Sequence, residues 1–191
     1  MGIPLLMMEG YEADDLLGTA AKKSEEAGVD AVIVSGDRDL LQLATDKIMI
    51  RMPKTKRGVT EIENYHAQDV KDAYQVTPSQ IIELKALMGD ASDNIPGVPG
   101  IGEKTATNLI VAYGTIENAY AHVEEIKPNR AKEALKNHYD MAKMSKRLAT
   151  ICLEAPLTLS FEDARLTNLY TPEAYEWCRK LNFKKLLGRF E

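Results

Sequence analysis

The periodicity of the chain changes once, near residue 64, and this change restricts the fold more than any other feature. Before it, apolar runs of strand length alternate with helical ones. Residues 3–8 read as a short buried strand. Residues 12–27 read as a helix stopped by Gly28, and residues 29–35 as a β-rich run suited to the middle of a parallel sheet. Residues 38–44 read as a short helix and 48–52 as another strand. Residues 59–62 read as a hairpin partner across the basic turn KTKRG at 54–58. That order predicts α/β architecture with right-handed crossovers. Beyond residue 64 only helices are predicted: 66–74, 77–88, 103–113, 115–123, 128–151, 172–181 and a last short one. Thr77 and Pro78 supply an N-cap and a proline at the first helical position, and Gly114 a stop. The expected organisation is an α/β region over 1–64 and an all-helical region over 65–191, with no repeat, low-complexity segment or flexible linker.

Seven carboxylates fall at the boundaries of these elements. They are Glu12, Asp14 and Asp15 in EADD, Asp37 and Asp39 in SGDRDL, and Asp90 and Asp93 in GDASDN. Each motif alone has an ordinary explanation: acids are favoured at helix N-termini by the dipole, and Asp-rich clusters make turns and caps. Three such clusters in one short chain are harder to dismiss. Asp37 and Asp39 directly follow a buried apolar strand, and the carboxyl ends of strands form the ligand crevice of open α/β sheets. Packed carboxylates repel one another unless cations neutralise them. Mg²⁺ or Mn²⁺ is the usual answer for an all-oxygen ligand set.

GVPGIGEKTA, residues 97–106, is the second informative motif. Gly97, Gly100 and Gly102 permit a tight turn with outward-pointing N–H groups, and the next helix presents its positive end with Lys104 just inside it. The pattern suits a nucleic-acid phosphate read without regard to sequence. It lacks the Gly-Lys-Ser/Thr of a nucleotide-binding loop, and no strand precedes it as a dinucleotide fingerprint requires. A plain turn between helices is the competing reading.

Composition adds bounds. The chain has 191 residues, 45% of them hydrophobic, so a core can form, and no apolar run approaches the roughly 18 residues of a membrane span. MGIPLLMMEG has no basic n-region and is a poor signal peptide. The two cysteines, Cys152 and Cys178, have no zinc or redox spacing and read as buried thiols in a reducing, cytoplasmic setting. Net charge is −5 overall. Residues 1–50 carry 4 basic against 10 acidic side chains, a net of −6; residues 101–150 carry 8 against 6, a net of +2. This suits metal at one end and phosphate at the other. Lys132, Lys136, Lys143, Lys146 and Arg147 stand at helical spacings that fit either a phosphate track or a solvated face. Lys54, Lys56 and Arg57 read as a solvated hairpin tip. His66, His122 and His138 read as incidental, and Tyr175 and Trp177 as core.

EGYEADDLLGTAA, VIVSGDRDLLQL, ALMGDASDNIPGVPGIGEKTA and the closing LNFKKLLGRF resemble the 5′-nuclease domain of bacterial DNA polymerase I, in the flap endonuclease superfamily. The resemblance runs through nearly the whole chain, in order. It implies a PIN-like α/β fold, here a partial parallel sheet with flanking helices, followed by a helical DNA-binding extension whose helix–turn–helix hairpin spans 89–113. By resemblance, Glu12, Asp14, Asp15, Asp37, Asp39, Asp90 and Asp93 match the acids that hold two divalent cations, with Asp14, Asp15, Asp37 and Asp39 at the centre of the chemistry. Gly97, Gly100, Ile101, Gly102, Lys104 and Thr105 match the element that grips the duplex backbone and often holds K⁺. The implied partner is double-stranded DNA with a 5′ end or flap, and no membrane. The implied activity is 5′-3′ exonuclease and structure-specific 5′-flap cleavage by a two-metal mechanism. The resemblance also implies that a first aspartate-bearing strand and a basic arch precede Met1 in a complete domain, with a polymerase part beyond it. A catalytically incomplete DNA-binding fragment is therefore the alternative. A generic acidic cation-binding protein is a third reading, which leaves the glycine hairpin unexplained.

Overall fold

The computed structural model describes residues 1–56 and 58–190, with only the backbone of Lys56; Arg57 of the basic hairpin tip lies outside the described residues. The elements follow the predicted order. Helix α1 (Ala13–Glu26) leads to strand β1 (Ala31–Val34), a 3-10 turn (Arg38–Leu43), and the hairpin of β2 (Ile48–Lys56) and β3 (Val59–Tyr65). The remaining named elements are helices: α2 (Ala67–Tyr74), α3 (Ile81–Met88), α4 (Glu103–Tyr113), α5 (Ile116–Ala121), α6 (Asn129–Ala149), α7 (Pro172–Lys180) and α8 (Lys184–Leu187), with irregular backbone over 150–171 between α6 and α7.

The sheet has the order β1-β2-β3. Strand β1 pairs in parallel with β2, Ala31 opposite Ile48 and Val34 opposite Arg51, while β2 and β3 pair antiparallel. Two expectations are corrected. Strand β1 lies at the edge of the sheet rather than in its middle, so Ile33 is buried while Val32 and Val34 face outward. Residues 3–8 form no strand. A strand needs a neighbour to take its backbone groups, and none pairs with this segment, so Leu5 and Met7 stand 81% and 82% exposed. The C-terminal aromatics differ as well: Trp177 is 61% exposed, because α7 buries the opposite face through Ala174 and Cys178. Of the two thiols, Cys178 is buried and Cys152 exposed.

One hydrophobic core joins the two regions, running from Ile33, Leu40 and Ile50 of the sheet side to Leu87, Ile110, Ile116 and Leu135 of the helices. Helix α3 stands at its centre and is buried nearly all round, yet it carries Glu83 and Lys85. At 100° per residue these two side chains leave the helix about 200° apart, toward opposite sides. Glu83 accepts a hydrogen bond at 3.0 Å from the N–H of Ile116, at the start of α5, and pairs with Lys146 of α6 at 2.6 Å. Lys85 reaches toward the sheet.

Three glycines allow close approaches that shape the site. Gly89 and Gly97, at φ of 73° and 62°, cross so tightly that a Cβ on Gly97 would stand 2.2 Å from the Gly89 nitrogen. The crossing closes the loop that carries Asp90 and Asp93. Paired Asp90–Ile95 backbone bonds of 2.9 and 2.8 Å and a Gly97 N–H to Ser145 Oγ bond of 3.0 Å hold it. On α1, a Cβ at Gly18 would meet Leu153 Cδ2 at 2.7 Å, so this glycine lets residues 151–153 lie against the helix. Gly97→Ala is expected to lose about 3 kcal/mol or more, a fall of roughly 6–12 °C in Tm. Gly102→Ala, at an exposed position with φ of −96° and nothing within 4 Å of its Cβ, is expected to stay within about 0.5 kcal/mol of wild type. Thermal melts of the two variants check the pair.

Candidate metal and nucleic-acid site

Six of the seven carboxylates line one open cleft of about 660 Å³: Glu12, Asp14, Asp15, Asp37, Asp39 and Asp93. Each arrives there for a local reason. Glu12 is the N-cap of α1 and its N–H donates to Asp15 Oδ2 at 3.1 Å, a capping box that fixes the EADD motif at the mouth of the helix. Asp37 caps the 3-10 turn after β1, its Oδ1 accepting the Asp39 N–H at 2.9 Å, so both acids of SGDRDL stay at the carboxyl end of that strand. Asp90 sits behind the cleft, where its Oδ1 accepts from the Ser92 N–H at 2.9 Å and the Ser92 hydroxyl at 2.5 Å.

The opposite wall is residues 148–152, where α6 ends. A set of long-range bonds straps this segment across the α/β half. The Cys152 N–H donates to Asp15 Oδ1 at 2.8 Å, and the Ala155 N–H donates to buried Thr19 Oγ1 at 3.1 Å. Gln42 from the 3-10 turn holds the segment twice: its amide NH₂ donates to Ala149 O and its carbonyl accepts from the Ile151 N–H, both at 3.0 Å. Both oxygens of Asp15 are therefore engaged by backbone N–H groups. Asp15 shapes the cleft, and Asp14, Asp37 and Glu12 are freer to face a ligand.

The electrostatics of the two ends differ. Burial, and after it the negative charges of Asp37, Glu12, Asp15 and Asp93, raise the carboxyl of Asp14 above the ordinary range. No ammonium or guanidinium among the described residues pairs with Glu12, Asp14, Asp15 or Asp37. At the other end Lys85, only 5% exposed, lies among three acids. Its Nζ pairs with Asp39, with Asp90 at 2.6 Å and with Asp93 at 3.7 Å. The hydrogen bond from Lys85, followed by those from Ser92, pulls Asp90 down to about 2. Oxygens of Asp39, Asp90 and Asp93 all lie within 4.8 Å of one another. The donor set is all carboxylate, and Asp14 carries uncompensated repulsion. Both facts fit a hard divalent cation at the Asp14–Asp37 end.

The glycine turn forms a second surface. Gly100 (φ 89°), Gly102 and Lys104 are exposed and Thr105 is half-buried. Gly97 and Ile101 are buried, so their part is to shape the turn rather than to touch a ligand. Gly102 is the N-cap of α4 and no side chain caps it, which leaves the first N–H groups of the helix open to an acceptor. The guanidinium of Arg130 stands beside the turn, its Nε 3.7 Å from where a Cβ on Gly100 would be, and no carboxylate among the described residues pairs with it. The lysines of the helical region are more committed. Lys132 and Lys136 hold Glu124 at 3.4 and 2.6 Å, Lys143 holds Asp140 at 2.8 Å, and Lys146 bridges Glu83 and Glu117 at 2.6 and 2.8 Å.

The seven acids and the glycine turn were legible as motifs, whereas Lys85, Gln42 and Arg130 were not. For Lys85 a signal existed: IIELKALM is apolar on every face, so a charged residue inside it has to find a buried partner. For Gln42 and Arg130 the sequence holds no such sign, because their partners lie 107 and 30 residues away.

Comparison with known proteins agrees with this geometry. A family model described as the 5′-3′ exonuclease N-terminal resolvase-like domain matches residues 1–75, and one described as the 5′-3′ exonuclease C-terminal SAM fold matches residues 76–171. DNA polymerase I of Bacillus caldotenax is 45% identical over 189 residues, covering 99% of this chain and 21% of that protein. DNA polymerase I of Bacillus subtilis is 43% identical over 182 residues, covering 95% and 20%. The chain thus spans about a fifth of the length of these curated relatives. Among solved structures, a T5 5′-exonuclease with bound zinc superposes with a TM-score of 0.68 at 28% identity, over 78% of this chain and 53% of that one. A bacteriophage T5 flap endonuclease complex with DNA and metal ions superposes at 0.64, also at 28% identity, over 78% and 52%. With both family models matched in order and the polymerase relatives aligned along nearly its whole length, this chain belongs to the 5′-3′ exonuclease family.

Proposed function

We propose that this chain is a 5′-nuclease module that hydrolyses phosphodiester bonds of duplex DNA at or near a 5′ end or flap. The observation that carries the reading is the single cleft into which six carboxylates from separate elements converge, with an exposed glycine turn on the same fold. Glu12, Asp14, Asp37, Asp39, Asp90 and Asp93 are the ligands of the proposal for two divalent cations, Mg²⁺ or Mn²⁺. Asp15 is a ligand through one oxygen or through bound water while it orients α1. When bound, such cations activate a water and stabilise the leaving oxygen. The chain's own residues do the rest. Asp14 and Asp37 concentrate negative charge that only a cation relieves. The strap at 148–152 closes one wall of the cleft. Gly100, Gly102, Lys104, Thr105 and Arg130 take the duplex backbone, through N–H groups and cations that carry no base preference. K⁺ at the turn, held by hard backbone carbonyls, is part of the same reading. Residues 1–64 are assigned most of the metal site and residues 65–191 its Asp90 and Asp93 and the grip on DNA, in a cytoplasmic protein whose relatives also carry a polymerase.

A second reading is favoured by one observation. The unpaired edge of β1, with Val32 and Val34 exposed, runs directly into Asp37. A sheet edge without a strand partner among the described residues, next to the acids, suits a chain that binds duplex DNA without cutting it. Incubation with an end-labelled 5′-flap duplex separates the two. The nuclease reading expects release of short 5′ products with Mg²⁺ or Mn²⁺, none with EDTA, and a loss of about 10–100-fold or more in Asp37→Asn. Retained duplex binding with no metal-dependent cleavage would establish the second reading instead.

Two further outcomes are expected. The raised carboxyl of Asp14 means that its ionisation costs stability as pH rises from its unfolded-state value through its folded one. Asp14→Asn should therefore melt higher than wild type in EDTA at pH 7, with the difference shrinking near pH 4, while Mn²⁺ affinity falls. A variant that melts lower at pH 7 and binds Mn²⁺ normally would remove Asp14 from the site. Duplex affinity should fall steeply with salt, and Lys104→Ala and Arg130→Ala should each lower the slope of log K against log salt by about 1. Fluorescence anisotropy across a salt series measures it, and unchanged slopes would place the DNA elsewhere.

A further inference from the structure

Lys85 is a buried cation that pairs with acids of the cleft, and its position bears on how the site takes up metal. Its ammonium pairs with Asp39 and lies 2.6 Å from Asp90 and 3.7 Å from Asp93. The same three carboxylates bring oxygens within 4.8 Å of one another, close to the widest spacing, about 4.2 Å, of two oxygens that share one cation at about 2.1 Å. One volume is therefore offered to two kinds of cation. The ammonium reaches it from inside the protein. Lys85 is only 5% exposed, and its stem leaves α3, where Leu84, Ala86 and Leu87 are also buried, so the ammonium is tethered there rather than passing through. The contrast with the other end is sharp: Asp14 and Asp37 repel each other, and no basic group among the described residues pairs with either.

We propose that Lys85 is the resident cation of the Asp39–Asp90–Asp93 trio and competes there with a divalent cation, so that the cleft loads in order. The first ion enters at the Asp14–Asp37 end. The second binds only as the Lys85 ammonium withdraws, and its affinity is reduced by that cost. This rests on the reading of the cleft as a metal site. It adds an asymmetry between the two ion positions, which the carboxylates alone do not impose. A tethered ammonium also offsets part of the trio's negative charge before metal arrives, which holds the loop of Asp90 and Asp93 against the 3-10 turn of Asp39 in the metal-free chain.

The test is calorimetric titration of the metal-free chain with Mn²⁺, paired with thermal melts in EDTA and in Mn²⁺. Wild type is expected to show two steps separated by at least about tenfold in affinity. Lys85→Met is expected to tighten the weaker step by about tenfold or more, leave the tighter step unchanged, melt lower in EDTA, and gain more in Tm from Mn²⁺ than wild type does. Lys85→Arg keeps the positive charge and should keep the weaker step weak. Lys85→Gln, which retains a donor for Asp90, replaces the Met variant if that does not fold. A Met or Gln variant whose weaker step is unchanged or weaker still, with the tighter step intact, overturns the competition and leaves the metal site standing. Wild type that binds no Mn²⁺ overturns the metal-site reading itself and this inference with it.

Discussion

A buried ammonium held by carboxylates from two separate segments is the interaction on which the site depends. Taking Lys85 out of water costs several kcal/mol, roughly, and that cost is recovered only with good geometry on all sides. Asp39 comes from the turn after β1, and Asp90 and Asp93 from the loop after α3. Pairing them through Lys85 ties the sheet side of the molecule to its glycine loop. The opposite face of α3 does the same for the helical half, where Glu83 receives the N–H of Ile116 and the ammonium of Lys146. An eight-residue helix that is apolar on nearly every side thus carries two charges, each aimed at a different half.

The cleft owes its second wall to backbone hydrogen bonds rather than to charge. Residues 149–155 cross the top of α1 because Gly18 leaves room for Leu153 and because Asp15, Thr19 and Gln42 take their backbone groups. The consequence is a division of labour among neighbouring acids. Asp15 spends both oxygens on N–H groups, while Asp14, one residue earlier, is left among four like charges. Two adjacent aspartates in one motif therefore stand in opposite electrostatic states, one satisfied by the fold and one left with uncompensated repulsion.

Much of the fold was legible because local signals and tertiary demands agree in it. Thr115 and Thr171 cap the helices that follow them, Gly114 ends α4, and the apolar run at 31–34 is a strand. The disagreements have one cause in common. Residues 3–8 have strand-like composition and no partner, and Trp177 has core-like chemistry on the outer face of α7. Composition states what a segment can bury, and only its neighbours decide whether it does. The glycine motif divides along the same line. Its spacing announced a turn, but burial sorted Gly97 and Ile101 into the framework and left Gly100, Gly102 and Lys104 on the surface.

By itself the sequence determined the order of elements, the seven acids at their boundaries and the glycine turn, since caps, turn residues and hydrophobic period act over a few neighbours. Tertiary structure decided which acids share a cleft, which of them the backbone already occupies, and that Lys85 stands among Asp39, Asp90 and Asp93. Those outcomes depend on contacts between residues up to 137 positions apart. Electrostatic energy falls off with distance in space, and distance along the chain carries no record of it.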